Sequence, residues 1–381
     1  MKRMIQGFAA CAAVFLMSLC TVNAQEGTAE GENWCGLKWE DRMELQYAEE
    51  FSVDYYEGGY ARIMISDGQT FLVVPEGGDV PDGLDDDVAV LQKPLQNIYL
   101  VATSAMDLFC SLDGLDSIRL SGTDVDGWYI DEAKSAMENG DILYAGKYSA
   151  PDYERILSEG CSLAVESTMI LHTPEVKEKL EDFGIPVLVE RSSYESHPLG
   201  RTEWIKLYSV LLGKEELAEE MFLEQQEQMD MAAASGSTGK TVAFFYISSN
   251  GYANVRKSND YVSKMIELAG GTYIFQDLGE EENALSTMNM TMEEFYAQAK
   301  DADVIIYNST IDGELKTIDE LLGKSELLAD FKAVKEGAAW CTEKNLFQET
   351  NSLGEMIAEI NTILTEEDPA LDQLPHMYRL K

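Results

Sequence analysis

The sequence predicts an α/β protein of two lobes, each built on a central parallel sheet, joined by one helical rod. Three observations predict it. From Asn97 onward, short apolar runs alternate with amphipathic stretches, and strands separated by helical crossovers pair in parallel. The alternation is interrupted once, by residues Arg201–Lys240. There Trp204, Leu207, Tyr208, Leu211 and Leu212 recur at helical spacing, Gly213-Lys214 breaks the run, and a second helix follows over Glu215–Ala234. That helix sets Leu217, Ala218, Met221 and Phe222 against a Glu/Gln face, and about twenty residues at 1.5 Å each span roughly 30 Å, the diameter of a small domain. After the Ser/Gly cluster that ends it, strand–helix alternation resumes. The division is therefore a leader at residues 1–24, a first lobe at 25–200, connecting helices at 201–234 and a second lobe at 235–381.

Taken in order, residues 25–50 read as polar and then helical, with Trp39, Met43 and Tyr47 four residues apart. Tyr60–Pro75 is two alternating runs around Asp67-Gly68, a hairpin signal, and an addition to the first lobe. Residues 76–87 read as a solvated loop. Their aspartates lack the spacing and closing Glu of an EF-hand, so no calcium site is assigned. Strands NIYLVAT, SIRLSG, ILYAG, SLAVEST and IPVLVE then alternate with helices over Ser104–Leu112, Asp131–Asn139, Pro151–Glu159 and Pro174–Phe183. Beyond the rod come strand TVAFFYIS, helix Asp260–Ala269, short strand TYIF, helix Met292–Lys300, strand DVIIYN, a helical stretch Ile318–Lys335, strand AAWCT and a last helix Leu353–Leu364.

Composition is globular, with 45% apolar and 25% charged residues, but 69 acidic against 28 basic residues leave a net charge of −41. Such a field repels nucleic acid and anionic lipid. Lys2 and Arg3 precede the apolar run Met4–Leu19, and Val22-Asn23-Ala24 supplies small residues for cleavage, so the leader reads as a signal peptide and the protein as extracytoplasmic. Two outcomes stay open: cleavage after Ala24, or a lipid anchor on Cys20. The remaining cysteines, Cys35, Cys110, Cys161 and Cys341, are far apart and form no metal-ligand pattern. They read as isolated thiols, with one disulfide an open alternative after export.

Catalytic and cofactor motifs are missing. Ala234–Thr241 fits a relaxed P-loop pattern, but a P-loop follows a strand and opens a helix, and here the order is reversed. There is no GxSxG and no HExxH, and His172, His197 and His376 are too dispersed for a triad or zinc set. No resident metal or cofactor is called for. An exported hydrolase working through carboxylates is the alternative class, since such sites leave no short motif.

Two segments carry a resemblance. YAGKYSAPDYERILSEGCSLAVEST in the first lobe, and LAGGTYIF followed by TMEEFYAQAKDADVII in the second, are similar to paired regions of the substrate-binding proteins of ABC importers for siderophores, haem and cobalamin. The likeness spans roughly residues 95–365. The chain departs from it where Cys161-Ser162 and Ala302-Asp303 replace a usual Pro-Asp, and in the hairpin before residue 95. The resemblance implies two Rossmann-like lobes, a rigid inter-lobe helix, a monomer, and a ligand cleft between the lobes with modest closure. It also implies that one glutamate on each lobe docks into arginine pockets of a membrane permease. By position these are Glu154 and Glu294, with Glu293 the alternative to the latter. A bidentate arginine–carboxylate fork suits such a contact.

A ligand between such lobes meets loops leaving the C-terminal ends of the strands. The candidates there are Ser104, Trp128, Tyr148, Arg191, His197 and Arg201 on the first lobe, and Tyr252 and Arg256 on the second. Arginines suit an anionic chelate and aromatics a flat macrocycle. The expected ligand is therefore an iron chelate of the siderophore type, with haem or a corrinoid as the rival.

Overall fold

The computed structural model describes residues 31–278, 286–366, 368 and 370–381. The leader and Cys20 lie outside the described residues. The chain opens with a five-stranded sheet of its own: β1 (Trp39–Arg42), β2 (Phe51–Tyr56), β3 (Tyr60–Ile65), β4 (Thr70–Val74) and β5 (Val88–Gln92), in that spatial order. The expected hairpin is β3–β4, pairing Ile63 with Phe71 around a turn where Gly68 takes φ +99°. A residue with a Cβ adopts that conformation at a cost. The helix expected before residue 50 is a correction. Trp39–Arg42 pairs antiparallel with β2, and the amides of Gln46, Tyr47 and Ala48 all point at the Glu203 carboxylate (2.8–3.1 Å). Backbone donors committed to a distant side chain cannot also close helical turns.

The first lobe is a parallel sheet of β6 (Ile98–Leu100), β7 (Ile118–Ser121), β8 (Leu143–Tyr144), β9 (Ala164–Ser167) and β10 (Val187–Glu190), in the order β10-β9-β6-β7-β8. Helices α1 (Thr103–Ser111), α2 (Asp131–Asn139), α3 (Tyr153–Ser158) and α4 (Pro174–Asp182) make the crossovers. Every residue of β6 and β10 is buried, as expected where both faces of a sheet are covered.

The rod is two packed helices, α5 (Pro198–Leu212) and α6 (Glu215–Ala234). Gly213 separates them at φ +70°, the left-handed cap that ends a helix. α5 is buried along nearly its whole length, whereas α6 buries only one stripe, including Ala218, Phe222 and Met229. Gln225 of α6 accepts the N–H groups of Gly354 and Glu355, capping the last helix. A Cβ on Gly354 would stand 2.0 Å from the Gln225 carbonyl oxygen, so glycine sets this close approach.

In the second lobe, β11 (Thr241–Ile247) is flanked by β12 (Ala253–Arg256), β13 (Thr272–Tyr273), β14 (Thr287–Met290), β15 (Val304–Tyr307), β16 (Ala339–Thr342) and β17 (Met377–Arg379). The order is β14-β12-β11-β15-β16-β17, with β13 also beside β11. Its helices are α7 (Tyr261–Leu268), α8 (Met292–Ala299), α9 (Ser309–Asp312), α10 (Ile318–Lys324), α11 (Lys332–Lys335) and α12 (Leu353–Thr365). Two expectations are corrected. The stretch 318–335 is not one helix, because Ser325 is extended (φ −162°) and a 3-10 turn separates α10 from α11. Part of the loop expected after β11 is strand β12, antiparallel to β11, so Arg256 stands on a strand. Among the described residues, Cys35, Cys110, Cys161 and Cys341 are free thiols, and no helix is long and apolar enough to cross a membrane.

Candidate functional site

The strands of the first lobe run parallel, so their C-terminal ends share one edge; so do those of β11, β15 and β16. The two edges meet. Gln348, beyond β16, accepts the N–H of Tyr129, beyond β7, at 2.9 Å and donates to the Gly127 carbonyl at 2.8 Å. Asp107 on α1 accepts the N–H of Asn351 at 2.7 Å, and the Asn351 side chain reaches Ser111 at 3.0 Å. On α5, the Thr202 hydroxyl donates to the Thr350 carbonyl at 2.9 Å. Residues 343–352 thus connect the lobes.

Beside this contact runs a polar seam. Glu190, at the end of β10, accepts from the Ser104 hydroxyl at 3.2 Å and from the Ser192 N–H at 3.0 Å. Burial pushes its carboxyl above the usual range, opposed by Ser192 and by the charge of Arg201. The Arg201 guanidinium stacks 4.1 Å over the ring of Tyr261, the first residue of α7. Asp260 caps that helix through the Val262 N–H at 2.9 Å and faces Arg256 at 3.5 Å. Arg256 in turn lies 4.7 Å over the Phe347 ring. Burial holds Asp260 above the ordinary carboxylate range, with Arg256 opposing. Burial thus disfavours the charged form of both acids, and the neighbouring guanidiniums oppose it. Among the described residues no hydrogen bond or ion pair engages Arg201, so its donors are free for an acceptor.

The structure brings Ser104, Arg201 and Arg256 into this seam and disperses the other candidates. Trp128 is only 1% exposed and donates to the Ser121 hydroxyl at 3.2 Å, inside the first lobe; its neighbour Tyr129 is 42% exposed. Arg191 pairs with Glu50 of the N-terminal sheet at 2.7 Å and lies over Tyr194. His197 caps α5 through the Leu199 N–H and stacks on Tyr47 at 4.3 Å, with burial lowering its basicity. Those three serve packing and capping. Tyr148 is half-buried in the loop after β8, and Tyr252 is exposed after β11. Sequence reasoning missed Glu190, Asp260, Tyr261 and Gln348. It also missed the exposed apolar side chains that follow strand ends: Tyr129, Met169 and Leu171 on one lobe, Ile311 on the other. A signal was available in Asp260, which stands at the N-cap position of a predicted helix. Ile311 could have been noticed as an apolar residue just past a strand end.

At the expected docking positions, Glu154 is exposed in the first turn of α3. Glu294 closes a capping box with Thr291, accepting its N–H at 3.1 Å, while the exposed Glu293 beside it has no partner among the described residues.

A two-lobe α/β architecture whose sheet edges face each other across a helical rod defines a class of ligand-binding proteins. The periplasmic binding protein family matches residues 117–342, well over half of the chain, and the chain belongs to that family. It is 27% identical over 358 residues to an uncharacterized lipoprotein of Methanocaldococcus jannaschii, covering 87% of this chain and 82% of the relative. Among solved structures it resembles the periplasmic heme binding protein HutB of Vibrio cholerae, with TM-score 0.58, 16% identity, and coverage of 70% of this chain and 98% of that one. It also resembles the catecholate-siderophore binding protein VctP of the same species, with TM-score 0.55, 15% identity, and coverage of 71% and 94%. At these identities the likeness is one of fold.

Proposed function

We propose that this chain is the extracytoplasmic, monomeric substrate-binding component of an ABC importer. In this reading it captures an iron chelate of the siderophore type in the cleft and hands it unchanged to a membrane permease. The observation that carries the reading is Arg201: a guanidinium stacked on the Tyr261 ring at the lobe junction, with no hydrogen bond or ion pair to it among the described residues. Charge-assisted forks of this kind recognise the oxygen-rich surface of a chelate. The solved relatives that bind a siderophore and haem support the ligand class. A lipid anchor fits the lipoprotein relative. Glu154 and the Glu293–Glu294 pair are the carboxylates that meet the permease.

A tetrapyrrole is the second reading, favoured by the exposed Tyr129, Met169, Leu171 and Ile311 near the strand ends, which suit a flat apolar ring. Native mass spectrometry after incubation with ferric siderophores, haem and cobalamin separates the readings by which one forms a one-to-one complex. Conversion of the ligand instead of its recovery would point to the exported hydrolase.

A further inference from the structure

A cavity of about 600 Å³ opens between the N-terminal sheet and the first lobe. One wall is Thr70, Phe71, Val88 and Ala89 of β4 and β5; the other is residues 185–187, where β10 begins. This is the end of β10 opposite the cleft. Both walls present sheet edges, since among the described residues β5 pairs only with β4 and β10 only with β9. The direction of the β10 backbone can be read off its bonds. The Pro186 carbonyl accepts from Ala164 of β9 at 2.9 Å, so the alternate residues Val187 and Val189 turn their N–H and C=O groups away from β9.

At Val189 that outward pair is already taken. The Gln69 side-chain amide accepts its N–H at 2.9 Å and donates to its carbonyl at 3.4 Å, as the peptide group of an added strand would. Val187, two residues back on the same edge, opens into the cavity. Among the described residues the rim is acidic: Asp67, Asp86, Asp87 and Glu181 line it, Lys177 is paired with Glu181 at 2.5 Å, and Arg191 approaches Asp67 to 4.0 Å, which leaves Asp86 and Asp87 without a cationic partner.

We propose that this groove docks an extended, basic segment of another protein, which continues the first-lobe sheet beyond the Gln69 amide along Val187. Main-chain bonds to a free edge supply affinity in such strand addition, and alternate side chains supply specificity. Lysine or arginine at alternate positions of the segment meets Asp86 and Asp87.

The test uses the full chain and a fluorescent hexapeptide of alternating lysine and valine, read by anisotropy. Its backbone N-methylated form and a glutamate–valine form serve as controls. The expected result is saturable binding of the lysine peptide, weakened at least tenfold by N-methylation, by glutamate, and by the double variant Asp86→Lys/Asp87→Lys. Bound peptide should slow hydrogen exchange at the Val187 amide. Val187→Pro, which lacks the outward N–H, should lose the peptide while keeping chelate binding at the cleft, at the opposite end of β10. Equal binding of the N-methylated peptide overturns the proposal, because charge alone would then suffice. So does an absence of binding at millimolar peptide, or a self-association of the chain that the double variant abolishes.

Discussion

Gln348 accepts the N–H of Tyr129 at 2.9 Å and donates to the Gly127 carbonyl at 2.8 Å, so one amide of the second lobe pairs with two backbone groups of the first. Together with Asp107–Asn351, this ties the lobes beside the rod, whose helix α5 bonds Thr350 through Thr202, and α6 packs along α12 to brace the second lobe.

Gln348→Ala removes both bonds. At about 0.5–1.5 kcal/mol net for each, lobe closure should weaken by about 1–3 kcal/mol. The expected outcomes are faster ligand release and a slightly larger radius of gyration by small-angle scattering. The rod limits the change, so a wide opening would contradict its rigidity; no change in either quantity would show that Gln348 does not hold the lobes.

Arg201→Ala should weaken binding of the best chelate at least tenfold, about 1.4 kcal/mol, and Arg201→Lys should recover only part of it because an ammonium lacks the planar fork. Arg256→Ala should weaken binding by about 1.5–3 kcal/mol if its guanidinium reaches ligand, and it also leaves Asp260 buried without its partner. Calorimetry with parallel thermal melts separates the two effects. Full affinity in Arg201→Ala removes that residue from the site.

Asp107 stands on α1 at the contact between the lobes. Burial pushes its carboxyl up to about 7, despite the Asn351 N–H it accepts. The folded protein therefore keeps a proton that the unfolded chain releases near pH 4, and stability falls as pH rises through this window. Asp107→Asn keeps an acceptor for Asn351 and cannot ionise, so its stability should fall less than that of the parent between pH 5 and 8. Glu166, raised by burial to about 8, acts in the same direction in both proteins. Urea titrations at the two pH values that gave the same difference for both would contradict the assignment.

His376 sits between Glu349 (2.7 Å) and Glu359 (2.6 Å), anchoring the connecting segment to α12. Burial lowers its basicity, but the two carboxylates outweigh that and raise it to about 10. Its ion-pair stabilisation is complete below about pH 6.5 and is lost as pH climbs from there through about 10. His376→Leu leaves two acids facing each other and should cost about 3–5 kcal/mol near neutrality. Denaturation at neutral and alkaline pH checks both claims; a variant as stable as the parent at pH 7 would refute the ion pair.

Glu154→Arg, and Arg at Glu293 or Glu294, should leave chelate affinity within a factor of about two, since none of the three lies on the seam. Stimulation of the reconstituted transporter's ATPase should fall in each single variant and further when lobes are combined, because like charges now oppose. Glu294→Arg alone should also lower stability by about 0.5–2 kcal/mol through loss of the capping box. Normal stimulation by the combined variant would remove these residues from the docking surface.

The sequence by itself determined the parts of this protein whose physics is local. Helical spacing and flanking breakers set α2 and α6 at the bounds Asp131–Asn139 and Glu215–Ala234, and buried apolar runs set the parallel strands, because each signal lies within one element. Tertiary structure decided the rest. Residues 43–50 became irregular because their amides bind Glu203 and Glu195, about 150 positions away. Arg256 left its loop for a strand because β11 and β14 offered ladders on both sides. In the candidate site, Ser104, Arg201 and Arg256 were legible as polar residues near strand ends. Trp128, Arg191 and His197 carry the same local signature and were drawn instead into the core, an ion pair and a helix cap. Which neighbour claims a side chain is set by packing between distant segments, and no window along the chain contains that information.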